Sequence, residues 1–273
     1  MPELTPRDIA ALEERRQAEC TVAAALVSEP IAGGFMSVSG VGSWTNQACG
    51  LGLAGPVEAA EVDRLVEFYA SRRIEPKIEV SAFADETLLA GLAARGFVLR
   101  EFEAVLARPL APGEEFAPSQ GWPPGITFVR VDPRDAAQVE VFIDASTCGF
   151  RPEDSPVPPE LADASRRMIA QARTECFLAL DGEVAVGGGT LDVGEGVAAL
   201  LGTSVRASHR GRGIQQALIA LRLRAAQDRG CAVVCIHSRP GIPTERNAAR
   251  MGFALVYHKV ALVRPGPGLA ASP

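Results

Sequence analysis

The sequence has little of what a disulfide scaffold, a zinc domain or a membrane protein requires. Its six cysteines form no Cys-x-x-Cys pair, and three histidines are too few for the usual zinc spacings. This predicts reduced thiols and no metal. No apolar run reaches the roughly 18 residues that span a bilayer. The opening stretch, MPELTPRDIAALEERRQAEC, is charged and holds no signal-peptide core. The expectation is a cytoplasmic protein without a membrane partner. A basic stripe is also missing: 27 Lys and Arg stand against 33 Asp and Glu, a net charge of −6. That balance argues against a nucleic-acid partner.

What is present is the composition of a globular α/β protein, 47% hydrophobic over 273 residues and long enough for two domains. A proline- and glycine-rich stretch, PLAPGEEFAPSQGWPPG, interrupts it at 109–125. The expected division is a first domain over 1–110, a linker over 111–124, a second domain over 125–265 and a flexible tail over 266–273. In the second half, strand-like ITFVRV precedes two helical stretches. A hairpin follows, turning at Asp181-Gly182. The run CAVVCI reads as a strand buried on both faces. This alternation predicts a mixed central sheet flanked by helices.

The halves share features at one spacing. Gly96-Phe97 and Gly252-Phe253 lie 156 residues apart, as do Arg108-Pro109 and Arg264-Pro265, and as do KIEVSA and VVCIHS. Three coincidences at one offset predict a duplicated unit.

The stretch HRGRGIQQALIALRLRAAQ, 209–227, places two glycines between arginines and the start of a helix. Unpaired amides and the helix dipole make such a turn an anion site. It is neither a Walker loop nor a dinucleotide fingerprint, since Gln216 stands where a third glycine is needed.

The wider pattern, GTSVRASHRGRGIQQALI with SRPGIPTERNAARMGF downstream, resembles the GNAT acyltransferase superfamily, in its tandem form with a degenerate N-terminal repeat. Arg210 and Gly213 stand at places the superfamily motif defines, and Gln215 departs from it. The resemblance implies an acetyl-CoA-dependent N-acetyltransferase acting on an amine of a small molecule or peptide. Arg210, Gly211, Arg212, Gly213, Ile214, Gln215 and Gln216 would hold the pyrophosphate. Thr203, Ser204 and Val205 would pair with the pantetheine arm, and Asn247 would lie near it. The usual acid, a tyrosine, is replaced by Ala248, which leaves Tyr257 as the candidate acid and His237 as the candidate base. The missing tyrosine keeps open a non-catalytic acyl-CoA sensor. A homodimer is compatible with the sequence. In the first half Pro56 and Val57 replace Arg212 and Gly213, and Glu58 and Glu61 bring negative charge. That half is expected to bind no CoA.

Overall fold

The computed structural model describes residues 4–152 and 155–272. The chain forms two compact units, the first built from Met1–Val105 with Val256–Pro273, the second from Leu106–Leu255.

The first unit opens with α1 (Pro6–Ala24). Its start is fixed by a capping box, in which Thr5 Oγ1 accepts from the Asp8 amide at 3.2 Å and the Asp8 carboxylate accepts from the Thr5 amide at 2.9 Å. Strands β1 (Val27–Ile31) and β2 (Gly34–Val38) form a hairpin whose turn, Ala32-Gly33, takes positive φ at both residues. There follow β3 (Gln47–Cys49), α2 (Ala59–Ala70), β4 (Lys77–Ser81), α3 (Glu86–Ala94) and β5 (Val98–Pro109). The sheet order in this unit is β1-β2-β3-β4 and then β11 (Ala254–Val263), the last strand of the chain. β3 and β4 are parallel; β11 runs antiparallel to β4. Leu65, Tyr69, Ile78 and Leu88 fill the core against it.

The second unit contains β6 (Ile126–Arg130), α4 (Ala136–Thr147), α5 (Pro159–Ile169), β7 (Thr174–Asp181), β8 (Val184–Val193) and β9 (Val197–Val205). A short 3-10 turn then leads to α6 (Ile214–Asp228), β10 (Val233–Ser238) and α7 (Pro243–Arg250). Its sheet order is β10-β9-β8-β7-β6, antiparallel except for the β9–β10 pair. Phe142, Ile143 and Leu178 form one core cluster, and Ile214, Leu218 and Val186 another. The fold is a mixed α/β arrangement of helices on mixed sheets.

Several elements coincide at the 156-residue offset. α2, β4, α3 and β5, moved by that amount, fall on α6, β10, α7 and β11 with ends matching to within two residues.

Two expected boundaries differ from the structure. Residues 111–124 do not act as a spacer: the Ser119 amide and hydroxyl donate to Gln216 Oε1 at 3.2 and 2.7 Å, and Gln227 Nε2 donates to the Ala111 carbonyl at 2.7 Å. The tail is also bound. Ala270 exchanges backbone bonds with Arg73 and Glu75 at 2.8 Å, and Ser272 Oγ donates to the Glu75 carbonyl at 2.7 Å. Together with Val256–Val263, it belongs to the first unit.

The first unit also buries charge. Lys259, 1% exposed, lies 2.8 Å from Glu79 and 3.2 Å from Glu14, and donates to Gln17. Burial opposes the ammonium, but Glu14 and Glu79 outweigh it and raise the Lys259 pKa above its usual value. Burial likewise opposes the Glu79 carboxylate, while Lys259 holds it down at about 2.

Lys259→Met is expected to destabilise the protein by about 3–5 kcal/mol, because it leaves two carboxylates buried without their cation. Urea titrations of both proteins measure this. The depressed Glu79 carboxyl contributes stability above its unfolded value of roughly 4.3. That share is lost as pH falls toward about 2. The acid arm of the wild-type stability curve should therefore be steeper than that of Lys259→Met.

Candidate active site

β9 and β10 begin as a regular parallel pair: Val197, Ala198 and Ala199 face Val233, Val234 and Cys235. The pairing ends there, although β9 runs on to Val205 and β10 to Ser238. Beyond Ala199 the edge of β9 has lost its strand partner, so its backbone groups are open to a substitute.

On its other edge β9 follows β8 through a bulge. Gly188 faces Ser204 and Thr190 faces Leu201, so Gly189 stands opposite both Gly202 and Thr203. Gly202 takes φ +49° to make this possible. The glycine run 187–189 serves close packing. A Cβ on Gly187 would lie 2.7 Å from the Ser204 carbonyl oxygen, and one on Gly189 would lie 2.8 Å from the Arg222 guanidinium.

At the end of β9 the chain turns through 206–213 into α6. Gly211 (φ +78°) and Gly213 (φ +80°) both adopt the left-handed conformation, and Gly213 is the helix N-cap without a side-chain bond. A Cβ at either position would meet no atom within 4 Å, so the space in front of the loop is open. The amides of Gly211 through Gln216 have no acceptor among the described residues. This is the geometry of an anion cradle: a run of unpaired donors at the positive end of a fifteen-residue helix.

The side chains around the loop turn aside from it. Asn247 Nδ2 donates to Gln215 Oε1 at 2.5 Å, which ties α7 to α6 and explains how a long residue fits there. Gln216 is buried and accepts from Ser119. Arg210 Nε donates to the Val205 carbonyl at 3.3 Å. Arg212 donates to Asp181 at 2.9 Å, and His209 Nε2 lies 3.3 Å from the same carboxylate. The Arg212 bond, with His209 beside it, holds the Asp181 carboxyl below its usual range. Ser204 Oγ accepts from the Gly149 amide at 2.6 Å and lies 3.4 Å from Cys148 Sγ. It therefore fixes the loop after α4 against the open strand, a contact no sequence motif announces.

Of the two proton-transfer candidates, His237 lies on the part of β10 beyond the last pair with β9 and is half-buried. Tyr257 is placed elsewhere. It belongs to the first unit, is 4% exposed, and its hydroxyl donates to Glu14 Oε1 at 2.8 Å. The reason is period: β11 alternates, and Tyr257 and Lys259 both face the buried charges of α1 and β4. Tyr257 is thus a structural group, and Ala248 is fully buried.

The corresponding loop of the first unit has few donors to offer. Pro56 has no N–H, the Val57 amide donates to Thr87 Oγ1 at 2.8 Å, and the Glu58 amide donates to Glu61 at 3.2 Å. Residues 52–55 line a cleft of about 250 Å³ with Arg7, Phe83, Ala84 and Asp85. No group of three or more His, Cys, Asp or Glu side chains suited to a metal occurs among the described residues.

Residues 140–253 match the acetyltransferase (GNAT) family. No curated protein matches the sequence. Among solved structures, the chain is similar to a GCN5-related N-acetyltransferase from Kribbella flavida at 20% identity and TM-score 0.72, covering 96% of this chain and 98% of that one. It is similar to a tandem GNAT protein from the clavulanic acid biosynthesis pathway at 13% identity and TM-score 0.62, over 96% of this chain and 94% of that one. A third similar structure is an acetyltransferase of the GNAT family from Novosphingobium aromaticivorans, at 13% identity and TM-score 0.57, over 93% and 96%. These likenesses give the fold. The family match spans the open strand and the glycine loop, so residues 140–253 form a GNAT acetyltransferase domain, a domain of acyltransferases.

Proposed function

We propose that the second unit transfers the acetyl group of acetyl-CoA to an amine of a small molecule or peptide. The observation that carries this reading is the parting of β9 from β10 beyond Ala199, directly upstream of a loop with six unpaired amides. In this reading the amides of Gly211 through Gln216 bind the pyrophosphate. The unpaired edge at Thr203–Val205 pairs with the amide-containing arm of the cofactor as a strand would. Asn247, already bonded to Gln215, braces the cradle from behind.

The thioester then lies near the parting of the strands, where β10 carries His237 beyond its last pair with β9. The amine nitrogen attacks the thioester carbon, the C–S bond breaks, and the amine proton passes to His237, directly or through water. The thiolate leaves and takes its proton from solvent, since Ala248 offers none and Tyr257 is engaged with Glu14. We further infer that the two units arose by duplication, on the strength of the elements that coincide at offset 156. In this reading the first unit has lost the cofactor function because, in its loop, Pro56 has no amide and those of Val57 and Glu58 are bonded internally.

Calorimetry is expected to find one acetyl-CoA site per chain. Gly213→Glu should weaken binding by about 10²-fold or more, because it strains a left-handed position and sets a carboxylate in the cradle. A stoichiometry of two, or unaltered affinity in the variant, contradicts the assignment.

His237→Ala is expected to lower kcat by about 10²-fold with little change in KM for acetyl-CoA. Thiol release across a panel of amines measures this. Acetyl-CoA binding without thiol release by any amine would favour the acyl-CoA sensor instead.

A further inference from the structure

Arg222 lies on the third turn of α6 and is fully buried. Its Nε donates to the Leu218 carbonyl at 2.9 Å, within its own helix. Its Nη1 donates across to two strands: to the Thr190 carbonyl at 3.0 Å and to the Leu201 carbonyl at 3.3 Å. Its Nη2 has no partner. No carboxylate pairs with it among the described residues. Burial pushes the Cys176 thiol up to about 12, so it stays neutral and does not offset the charge. Burial pulls the guanidinium down to about 9, so it remains a cation at neutral pH.

A buried, unneutralised arginine is costly and calls for a reason. Its position supplies one. Thr190 and Leu201 are the facing residues at the edge of the β8–β9 bulge, where the extra residue disrupts the ladder. The guanidinium supplies both carbonyls with a donor there. Gly189 is kept bare because a Cβ would sit 2.8 Å from Cζ and Nη1. The Leu201–Gly202 peptide is trans, so its N–H points opposite to its C=O. With the carbonyl held toward α6, the Gly202 amide is directed away from α6.

We propose that Arg222 is a positioning residue for acyl transfer: it locks the bulge and presents the Gly202 amide to the thioester carbonyl. This rests on the acetyl-CoA reading above. With the pyrophosphate at 211–216 and the arm along 203–205, the thioester reaches the bulge. A cation on the carbonyl of the same peptide polarises it and strengthens its N–H as a donor. That donor faces the oxygen which gains charge when the tetrahedral intermediate forms.

The test uses the full-length protein with isotopically labelled acetyl-CoA, and compares wild type with Arg222→Met, Arg222→Lys and Gly189→Ala. Calorimetry reads affinity, thermal denaturation reads stability, infrared difference spectra read the bound thioester carbonyl, and thiol release reads turnover. Arg222→Met is expected to keep acetyl-CoA affinity within about threefold and to melt no lower than wild type, because it removes an unpaired buried charge. Its carbonyl band should shift to higher frequency and kcat should fall by about 10²-fold, the effect of losing one oxyanion donor. Arg222→Lys should recover part of both. Gly189→Ala, which crowds the guanidinium with one methyl, should shift the band in the same direction by less, and decides the matter if Arg222→Met does not fold. A carbonyl band unchanged in the folded variants overturns the proposal. Wild-type protein that binds no acetyl-CoA overturns the cofactor reading, a separate outcome.

Discussion

Parallel strands exchange backbone hydrogen bonds only while they lie about 4.8 Å apart. In the second unit this condition fails for β9 and β10 after three residue pairs. The consequence is a strand end whose donors and acceptors lack a strand partner. Such an edge is a liability unless something occupies it. The bulge opposite Gly189, the left-handed glycines at 211 and 213 and the Ser204 bond to Gly149 all converge on it. An extended ligand with amides of its own and an anionic end answers both the open edge and the loop.

From α2 to β5 the first unit follows the order of α6 to β11 under different constraints. β3 is only three residues long, and its loop spends its amides on Thr87 and Glu61 or lacks them at Pro56. Its buried polarity lies instead in the network of Glu14, Glu79, Lys259 and Tyr257. Lys259 pairs with both carboxylates and Tyr257 donates to Glu14, contacts that tie the last strand of the chain into this unit. A charge network of this kind specifies which strand enters the sheet more than it adds stability.

Much of the second unit was legible in the sequence because its signals are local. Asp181-Gly182 marks a hairpin, CAVVCI a buried strand, and RGRG with a helix behind it an anion loop. The GNAT resemblance rests on the last two, together with the Gly-Phe ending at 252–253. What was not legible depends on contacts distant in sequence. Tyr257 reads as the candidate acid, because its partner Glu14 lies 243 residues away and no local pattern shows it. The stretch 111–124 has the composition of a linker, but Gln216 and Gln227 capture it from α6. The tail reads as flexible, but Arg73 and Glu75 bind it. Arg222 looks like an ordinary helical arginine until the glycine run at 187–189 is seen to make room for it.

The measurement that bears most directly on this account is residue-resolved amide hydrogen exchange with and without acetyl-CoA. Binding as described should slow exchange at Gly211 through Gln216 and along Thr203–Val205, and leave the loop at 50–58 unchanged. Protection confined to the first unit's loop, or spread equally over both, would contradict it.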